Sequence, residues 1–318
     1  MGLGDYIFWT ATIRDISKHL ESLETTKKKL RYLVKIKSLG DDDIGLLSVN
    51  FSNENLPFKF FPCCSWKNND RLVKFTEYPH ANIIFENNDY ITSDESYPNL
   101  IYLKIISNFY WNENNNGITD FSVKDDKHWI KILADKFKLK NYSLYGDFTF
   151  TREEINKVIK YLPKEEFILI NYQGKIESRS YSKSNMQKVV NYLSKKIKCV
   201  QIIPNSFQRE KYHKLDNVLC IQGELSFREA LCFSSYAKYA ILTHGGLSNG
   251  IACFQIKTIC LYSNLFNPIA TKTDSEIPYI YCDHGDFCYK LDCQKCLKNT
   301  QKNDETELIN LVQEHFKL

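Results

Sequence analysis

The sequence predicts an α/β protein built as two domains, and three observations carry that expectation. The chain has 318 residues, and a domain typically takes roughly 100–200. Hydrophobic residues make up 43%, enough to fill real cores rather than leave a disordered polymer. Through the second half, short apolar runs alternate with amphipathic segments, the pattern of a doubly wound parallel sheet.

The elements follow in order. Trp9, Ile13, Ile16, Leu20 and Leu23 recur at spacings of four and three, an apolar stripe on a first helix. Residues 81–85 and 99–106 are apolar runs expected to form buried strands. Polar clusters at Asn53–Asn55, Asn114–Asn116 and Asp125–Asp126 read as loops. A helix is expected from about Lys127 to Lys138. Thr151 and Glu154 form a capping-box start for another, carrying Ile155, Val158, Ile159 and Leu162 up to Pro163. Beyond it come strand Phe167–Asn171, helix Ser184–Lys196, strand Cys199–Ile203 and strand Val218–Ile221. Helix Ser226–Tyr236, strand Tyr239–Thr243, helix Leu247–Phe254 and strand Thr258–Tyr262 complete the alternation. A closing helix spans Glu305–Phe316, with Asp304 as its cap. The domain boundary is expected near 150–165, giving domains of 1–160 and 161–318.

The net charge is +4. That balance is too mild to indicate nucleic acid and suits an anionic small ligand. No apolar run reaches the roughly 18 residues of a membrane helix, which leaves peripheral contact as the membrane mode still open. The first residues lack a secretory pattern, so a cytoplasmic setting with reduced thiols is expected. Of the 11 cysteines, Cys199, Cys220, Cys232, Cys253 and Cys260 sit in apolar runs and read as small core residues.

Four constellations could carry chemistry. Gly2-Leu3-Gly4-Asp5 directly precedes the first helix, where glycines admit a ligand and free N–H groups favour anions. Asp5 as a plain N-cap is the simpler reading. Thr243-His244-Gly245-Gly246-Leu247-Ser248-Asn249-Gly250 lies between a strand and a helix, where N–H groups of 246–249 could meet a phosphate or sugar hydroxyl. An ordinary glycine-rich turn is its alternative. Lys175 to Lys183 follows another strand of the same half and holds Arg179, whose guanidinium can grip a diphosphate as a fork. A solvated charged loop is the alternative there. Cys282, Cys288, Cys293 and Cys296 crowd one segment, with His284 beside them. Four thiolates can complete a tetrahedral Zn or Fe site, and reduced loop thiols or a disulfide pair are the other readings.

Taken together, these stretches resemble glycosyltransferase family 9, the ADP-heptose:lipopolysaccharide heptosyltransferases. Gly4-Asp5 through Arg14 is similar to the family's opening. Arg179-Ser180-Tyr181-Ser182 occupies the place of its Lys-x-Trp-Pro loop. Gly223 to Glu229 resembles its Gly-x-x-Ser-Leu-x-Glu turn, and His244-Gly-Gly-Leu-Ser-Asn249 its Asp-(Thr/Ser)-Gly-x-x-His loop. The glycine turn followed by a cysteine-rich loop is also similar to the autotransporter heptosyltransferases, where such cysteines hold an iron. The chain departs from the family at four places: His244 stands for its Asp, Asn249 for its His, Arg179 for its Lys and Tyr181 for its Trp.

The resemblance implies a GT-B fold of two Rossmann-like halves, and inverting sugar transfer from a nucleotide-diphosphate donor, heptose or hexose-like. The acceptor would be a hydroxyl of a glycan, a lipid-linked glycan or a protein. It makes Asp5 the general base. It places Gly4, Arg179, Tyr181, Lys183, His244, Gly245, Gly246, Leu247, Ser248 and Asn249 on the donor. No cofactor is required for the chemistry, and any Zn or Fe at Cys282, Cys288, Cys293 and Cys296 is structural. A Rossmann half normally opens with a strand, so a short Val/Ile/Leu-rich run is expected upstream of Gly2 in the gene. Two rivals stand beside this reading: a non-catalytic sugar-nucleotide-binding or interaction protein of the same fold, and a nucleotide-sugar epimerase.

Overall fold

The computed structural model describes residues 3–38, 45–66, 69–77, 79–106, 128–174, 177–204, 212–264, 267–282, 294–299 and 305–318. The loops expected at Asn114–Asn116 and Asp125–Asp126 lie outside them. The chain divides into two units, Met1–Thr149 and Phe150–Leu318.

In the first unit, α1 (Leu3–Ser22) is buried on every side from Tyr6 to Ser17. The apolar stripe predicts one buried face. The other faces are buried too because their polar groups find partners. Arg14 pairs with Asp15 at 3.0 Å and donates to the carbonyls of Tyr145 and Gly146. Asp15 accepts the Ser143 N–H, and Thr10 Oγ1 accepts that of Asp147 at 2.7 Å. Next come α2 (Thr26–Ser38), β1 (Gly45–Phe51), β2 (Lys59–Trp66), β3 (Asn69–Lys74), α3 (Pro79–Phe85), β4 (Asn99–Ile106) and α4 (Trp129–Lys136).

Two expectations change here. Residues 81–85 form a helix, not a strand: Pro79 sits at its first position, where a missing N–H costs nothing. Ala81, Ile84 and Phe85 then share its buried side. The α/β class holds in both units, but the all-parallel doubly wound sheet belongs to the second alone. The sheet of the first unit has the order β1-β4-β2-β3, with only β2 and β4 parallel.

The second unit opens with α5 (Arg152–Ile159), which a boundary at 160 would assign to the first. It goes with the second because it packs on α7 (Phe227–Ser234). There Arg228 meets Glu154, and Lys157 meets Glu229 at 2.9 Å. Between them run β5 (Phe167–Asn171), α6 (Lys183–Leu193), β6 (Lys198–Ile203) and β7 (Leu219–Gln222). After α7 come β8 (Tyr239–Thr243), α8 (Gly246–Ile251), β9 (Lys257–Tyr262), β10 (Glu276–Ile280), α9 (Gln294–Asn299) and α10 (Glu305–Phe316).

All six strands are parallel, in the order β10-β9-β8-β5-β6-β7. Side chains alternate between two cores. Ile168 and Ile170 face α6 and α10 residues such as Met186, Val189, Leu308 and Phe316. Phe167 and Leu169 face residues of α5, α7 and α8, including Val158, Phe233 and Ile251. Counted within the unit, the strand order is that of a Rossmann sheet, and its direction of progression reverses between β5 and β8.

Candidate functional site

A doubly wound sheet opens a crevice at its carboxyl ends where the strand order reverses, because the loops of the two adjacent strands turn to opposite faces. The two loops at that point are those after β5 and β8, and they contain Arg179 and His244.

The loop after β5 is tightly built. Gly174 donates to Ser180 Oγ at 3.1 Å, and Ser180 closes the short 3-10 turn Glu177–Arg179 by donating to the Glu177 carbonyl at 2.8 Å. Tyr181 N–H returns to the Tyr172 carbonyl at 2.8 Å. Arg179 is therefore held on a braced turn, half-buried. Lys175 lies outside the described residues. Tyr181 is a core residue, 2% exposed, edge-on to Tyr281 at 5.4 Å and Tyr279 at 6.1 Å. The donor contact expected of it is replaced by packing beneath the loop. Lys183 is exposed on the first turn of α6, after its N-cap Ser182.

After β8, His244 continues the ladder by donating its N–H to the Leu261 carbonyl at 3.0 Å, and its imidazole stacks on Tyr262 at 4.6 Å and 18°. Burial first, and the Arg179 charge second, push its pKa down to about 3. The ring is neutral at pH 7 and does not compete with Arg179 as a cation. Ser248 closes the turn: its Oγ accepts the Gly245 N–H at 2.9 Å and donates to the Gly245 carbonyl at 3.0 Å. The Asn249 N–H bonds to the same carbonyl. Ser248 and Asn249 are buried, so of the amides expected to face a ligand, that of Asn249 is already used within the turn. Gly246 and Leu247 stand half-buried at its surface.

The two glycines expected to permit a tight turn act otherwise. Gly245 is extended (φ 164°), a conformation open to any residue. What distinguishes it is open space, since a Cβ there would meet nothing within 4 Å. Arg179, Thr243, His244, Leu261, Tyr262 and Ser263 enclose a cavity of about 10 Å³, close to the smallest volume that admits one water. Thr243 Oγ1 is buried there with no hydrogen-bond partner among the described residues.

Gly4 and Asp5 fall inside the first turn of α1, which begins at Leu3 rather than after Asp5. Asp5 is thus not the residue before the helix. The Gly223–Glu229 stretch has a structural role: Gly223 has φ 73°, and Ser226 and Glu229 form the capping box of α7. Cys282 and Cys296 are brought together. Both are fully buried, and the Cys282 thiol donates to the Cys296 carbonyl at 3.7 Å. Cys288, Cys293 and His284 lie outside the described residues, among which no group of three potential ligands clusters. Helix α9, bearing Cys296, packs on the 3-10 turn that carries Arg179.

Sequence reasoning missed Gly174, Tyr262 and Ser263. Their common signal is position at the carboxyl end of a strand next to the switch point. That position becomes visible only once the strand order is known.

A Rossmann-ordered parallel sheet with a cation and a glycine turn at its switch point defines an α/β unit suited to a phosphorylated ligand. No family model matches the sequence, and no curated protein does. Among solved structures the chain is similar to a glycosyl transferase family 9 protein from Veillonella parvula DSM 2008, with 10% identity over 61% of this chain and 62% of that one and a TM-score of 0.46. It is similar to the iron-containing dodecameric glycosyltransferase TibC from enterotoxigenic E. coli H10407, with 12% identity, 67% and 59% coverage and a TM-score of 0.48. It is also similar to the E. coli heptosyltransferase WaaC with ADP, with 13% identity, 60% and 57% coverage and a TM-score of 0.42. The matched region spans less than two thirds of each of these chains. No helix among the described residues is long and apolar enough to cross a membrane.

Proposed function

We propose that this chain is a glycosyltransferase whose second unit binds a nucleoside-diphosphate sugar at the switch point between β5 and β8. The observation that carries the reading is the placement of Arg179 and the His244–Gly246 turn on the two loops that meet there. Arg179 is braced, charged and adjacent to a neutral histidine. Gly245 leaves room for a ligand to approach the backbone. The sequence resemblance to glycosyltransferase family 9 supports the choice of sugar transfer over other nucleotide chemistry.

In this reading the acceptor hydroxyl oxygen attacks the anomeric carbon as the bond to the diphosphate breaks, with inversion. The proton passes to Asp5, a role that rests on the sequence resemblance alone. The diphosphate leaves with its charge met by Arg179, electrostatic stabilisation supplied by a side chain fixed in advance. His244, neutral, can donate or accept a hydrogen bond at a ribose or sugar hydroxyl. The setting would be cytoplasmic.

Binding of a panel of nucleoside diphosphates by calorimetry, followed by sugar release with and without glycan acceptors, tests the proposal. Tight binding with acceptor-dependent turnover is expected, and Asp5→Asn should lower turnover by about 10²–10⁴-fold with binding retained. Binding without turnover on any acceptor would instead identify a non-catalytic sugar-nucleotide binder. No binding at all would overturn both.

A further inference from the structure

Helix α2 of the first unit carries a charge pattern that its own stability does not explain. Over Thr26–Ser38 the sequence holds Lys27, Lys28, Lys29, Arg31, Lys35 and Lys37, and neither Asp nor Glu. Lys27, Lys28 and Lys29 crowd the first turn, where the helix dipole disfavours cations. Lys27, Arg31 and Lys35 follow one another at spacings of four, where like charges repel across a helical turn. Lys28 meets Glu24 of the preceding segment, but an exposed pair of this kind offsets little.

The inner side of the helix is fixed. Leu33 is 1% exposed, and the Tyr32 hydroxyl donates to the Phe137 carbonyl at 2.8 Å. The Tyr32 ring also meets His19 at 4.5 Å. Holding that side against the unit turns the opposite side to solvent. Lys27, Lys28, Arg31, Val34 and Lys35 are exposed, and at 3.6 residues per turn they share one face. Val34 lies three residues from Arg31 and seven from Lys27, so it sits among the cations. It is 69% exposed, more than any other large apolar side chain among the described residues.

A polyanion laid on this face would offset the repulsion. One with an apolar layer beneath its charges would also take up Val34. A phospholipid leaflet is built that way: its phosphates meet Lys and Arg, whose apolar stems lie along the surface, and a short side chain between them reaches the acyl boundary. Nucleic acid offers phosphates without that layer.

We propose that the exposed face of α2 is a docking surface for an anionic lipid bilayer, which holds the chain reversibly by charge with Val34 as the inserted apolar group. The proposal does not rest on the sugar-transfer reading of the second unit. Leu33 and Tyr32 are committed to the inner side, so contact is made at the head groups and is sensitive to salt.

Sedimentation of the full chain with vesicles tests this. Phosphatidylcholine vesicles carrying about a third phosphatidylglycerol should bind it at about 50 mM salt and release it at about 0.5 M. Pure phosphatidylcholine should not bind it. Each cation neutralised should lower partitioning about fivefold, so Lys27→Gln with Arg31→Gln should lower it at least about twentyfold. The urea midpoint of that double variant should be no lower than that of wild type, because a repulsion is relieved. The control pair Lys164→Gln with Lys195→Gln, exposed in the second unit, should stay within about twofold of wild type. Val34→Gln should weaken vesicle binding about threefold to tenfold.

Failure to prefer the anionic vesicles overturns the proposal. So does an equal loss in the control pair, because net charge rather than α2 would then be responsible. Vesicle binding indifferent to Val34→Gln overturns the choice of a lipid surface, and duplex DNA held at the same salt would then assign the face to nucleic acid.

Discussion

Gly174 and Arg179 are in contact through the empty space of a missing side chain: a Cβ at 174 would sit 2.7 Å from Arg179 Cβ and 3.2 Å from its carbonyl oxygen. The glycine is what lets the 3-10 turn fold back against the end of β5. Gly174→Ala should therefore displace Arg179 without touching the sheet. Nucleoside diphosphate affinity is expected to fall about tenfold, and Arg179→Ala should do at least as much. Arg179→Lys should recover only part of it, because an ammonium cannot offer the planar fork. Calorimetry on the three variants checks this, and unchanged affinity in all of them would leave Arg179 as a loop charge without a ligand.

The glycines of the second loop are expected to behave in opposite ways. A Cβ on Gly250 would overlap Leu231 of α7 at 2.2 Å. Gly250→Ala should cost about 1–3 kcal/mol, as overpacking of a filled core does, read as a lower urea midpoint. Gly245→Ala meets nothing in the chain, so its stability should match wild type while nucleotide affinity drops. A Gly245→Ala variant with full affinity would show that the open space there is not where a ligand lies.

Two buried groups give stability opposite slopes with pH. Burial, then Arg179, push His244 from an ordinary 6.5 to about 3. The folded chain thus refuses a proton that the unfolded chain accepts, and this contribution is present above pH 6.5 and lost as pH falls towards 3. Burial pushes Glu276 from an ordinary 4.5 to about 7, against the hydrogen bonds from Thr273. Its contribution is present below pH 4.5 and lost as pH rises through 7. Between 4.5 and 6.5 the two oppose each other in the wild type. Measured by denaturant midpoints, the advantage of wild type over His244→Asn should grow with pH across that window. Its advantage over Glu276→Gln should shrink. Slopes of the same sign in both comparisons would contradict the assignment.

Cys282 and Cys296 already share one buried place, and soft thiols are suited to Zn or Fe. Protein purified without a metal-binding tag is expected to carry about one Zn or Fe per chain, and Cys282→Ser should lower it. Removing the metal should weaken nucleotide binding only indirectly, through α9 and the Arg179 turn it packs against. Less than about a tenth of an equivalent, with the thiols titrating freely under denaturation, would leave two core cysteines and no metal.

Local pattern was enough for much of the second unit. Strands Phe167–Asn171 and Tyr239–Thr243 and helix Glu305–Phe316 lie where their runs of apolar and capped residues put them. The reason is that parallel strands buried on both faces are nearly all apolar, which leaves little ambiguity. The candidate loops were legible for a similar reason, since glycine and charge directly after such a strand stand out.

Tertiary structure decided the rest. β2 contains Pro62, which argues against an interior strand. It is tolerated because pairing with β3 starts at Cys63, so the missing N–H falls just outside that ladder. Residues 81–85 are compatible with strand or helix by composition, and packing settles them as a helix. Helix α1 displays one apolar stripe, yet it is buried all round because Tyr145, Gly146, Ser143 and Asp147, more than a hundred residues away in sequence, supply partners for its polar faces. The same holds at the site. Residue types nominated Arg179, His244 and Ser248, and the family resemblance added Tyr181. The order of the strands is what puts Arg179 and His244 at the crevice, and packing turns Tyr181 into the core and gives Ser248 to the turn. Sequence determines which faces are apolar and where chains must turn, because those are local energies. Which loops meet is set by strand pairing between distant segments, and no local preference encodes it.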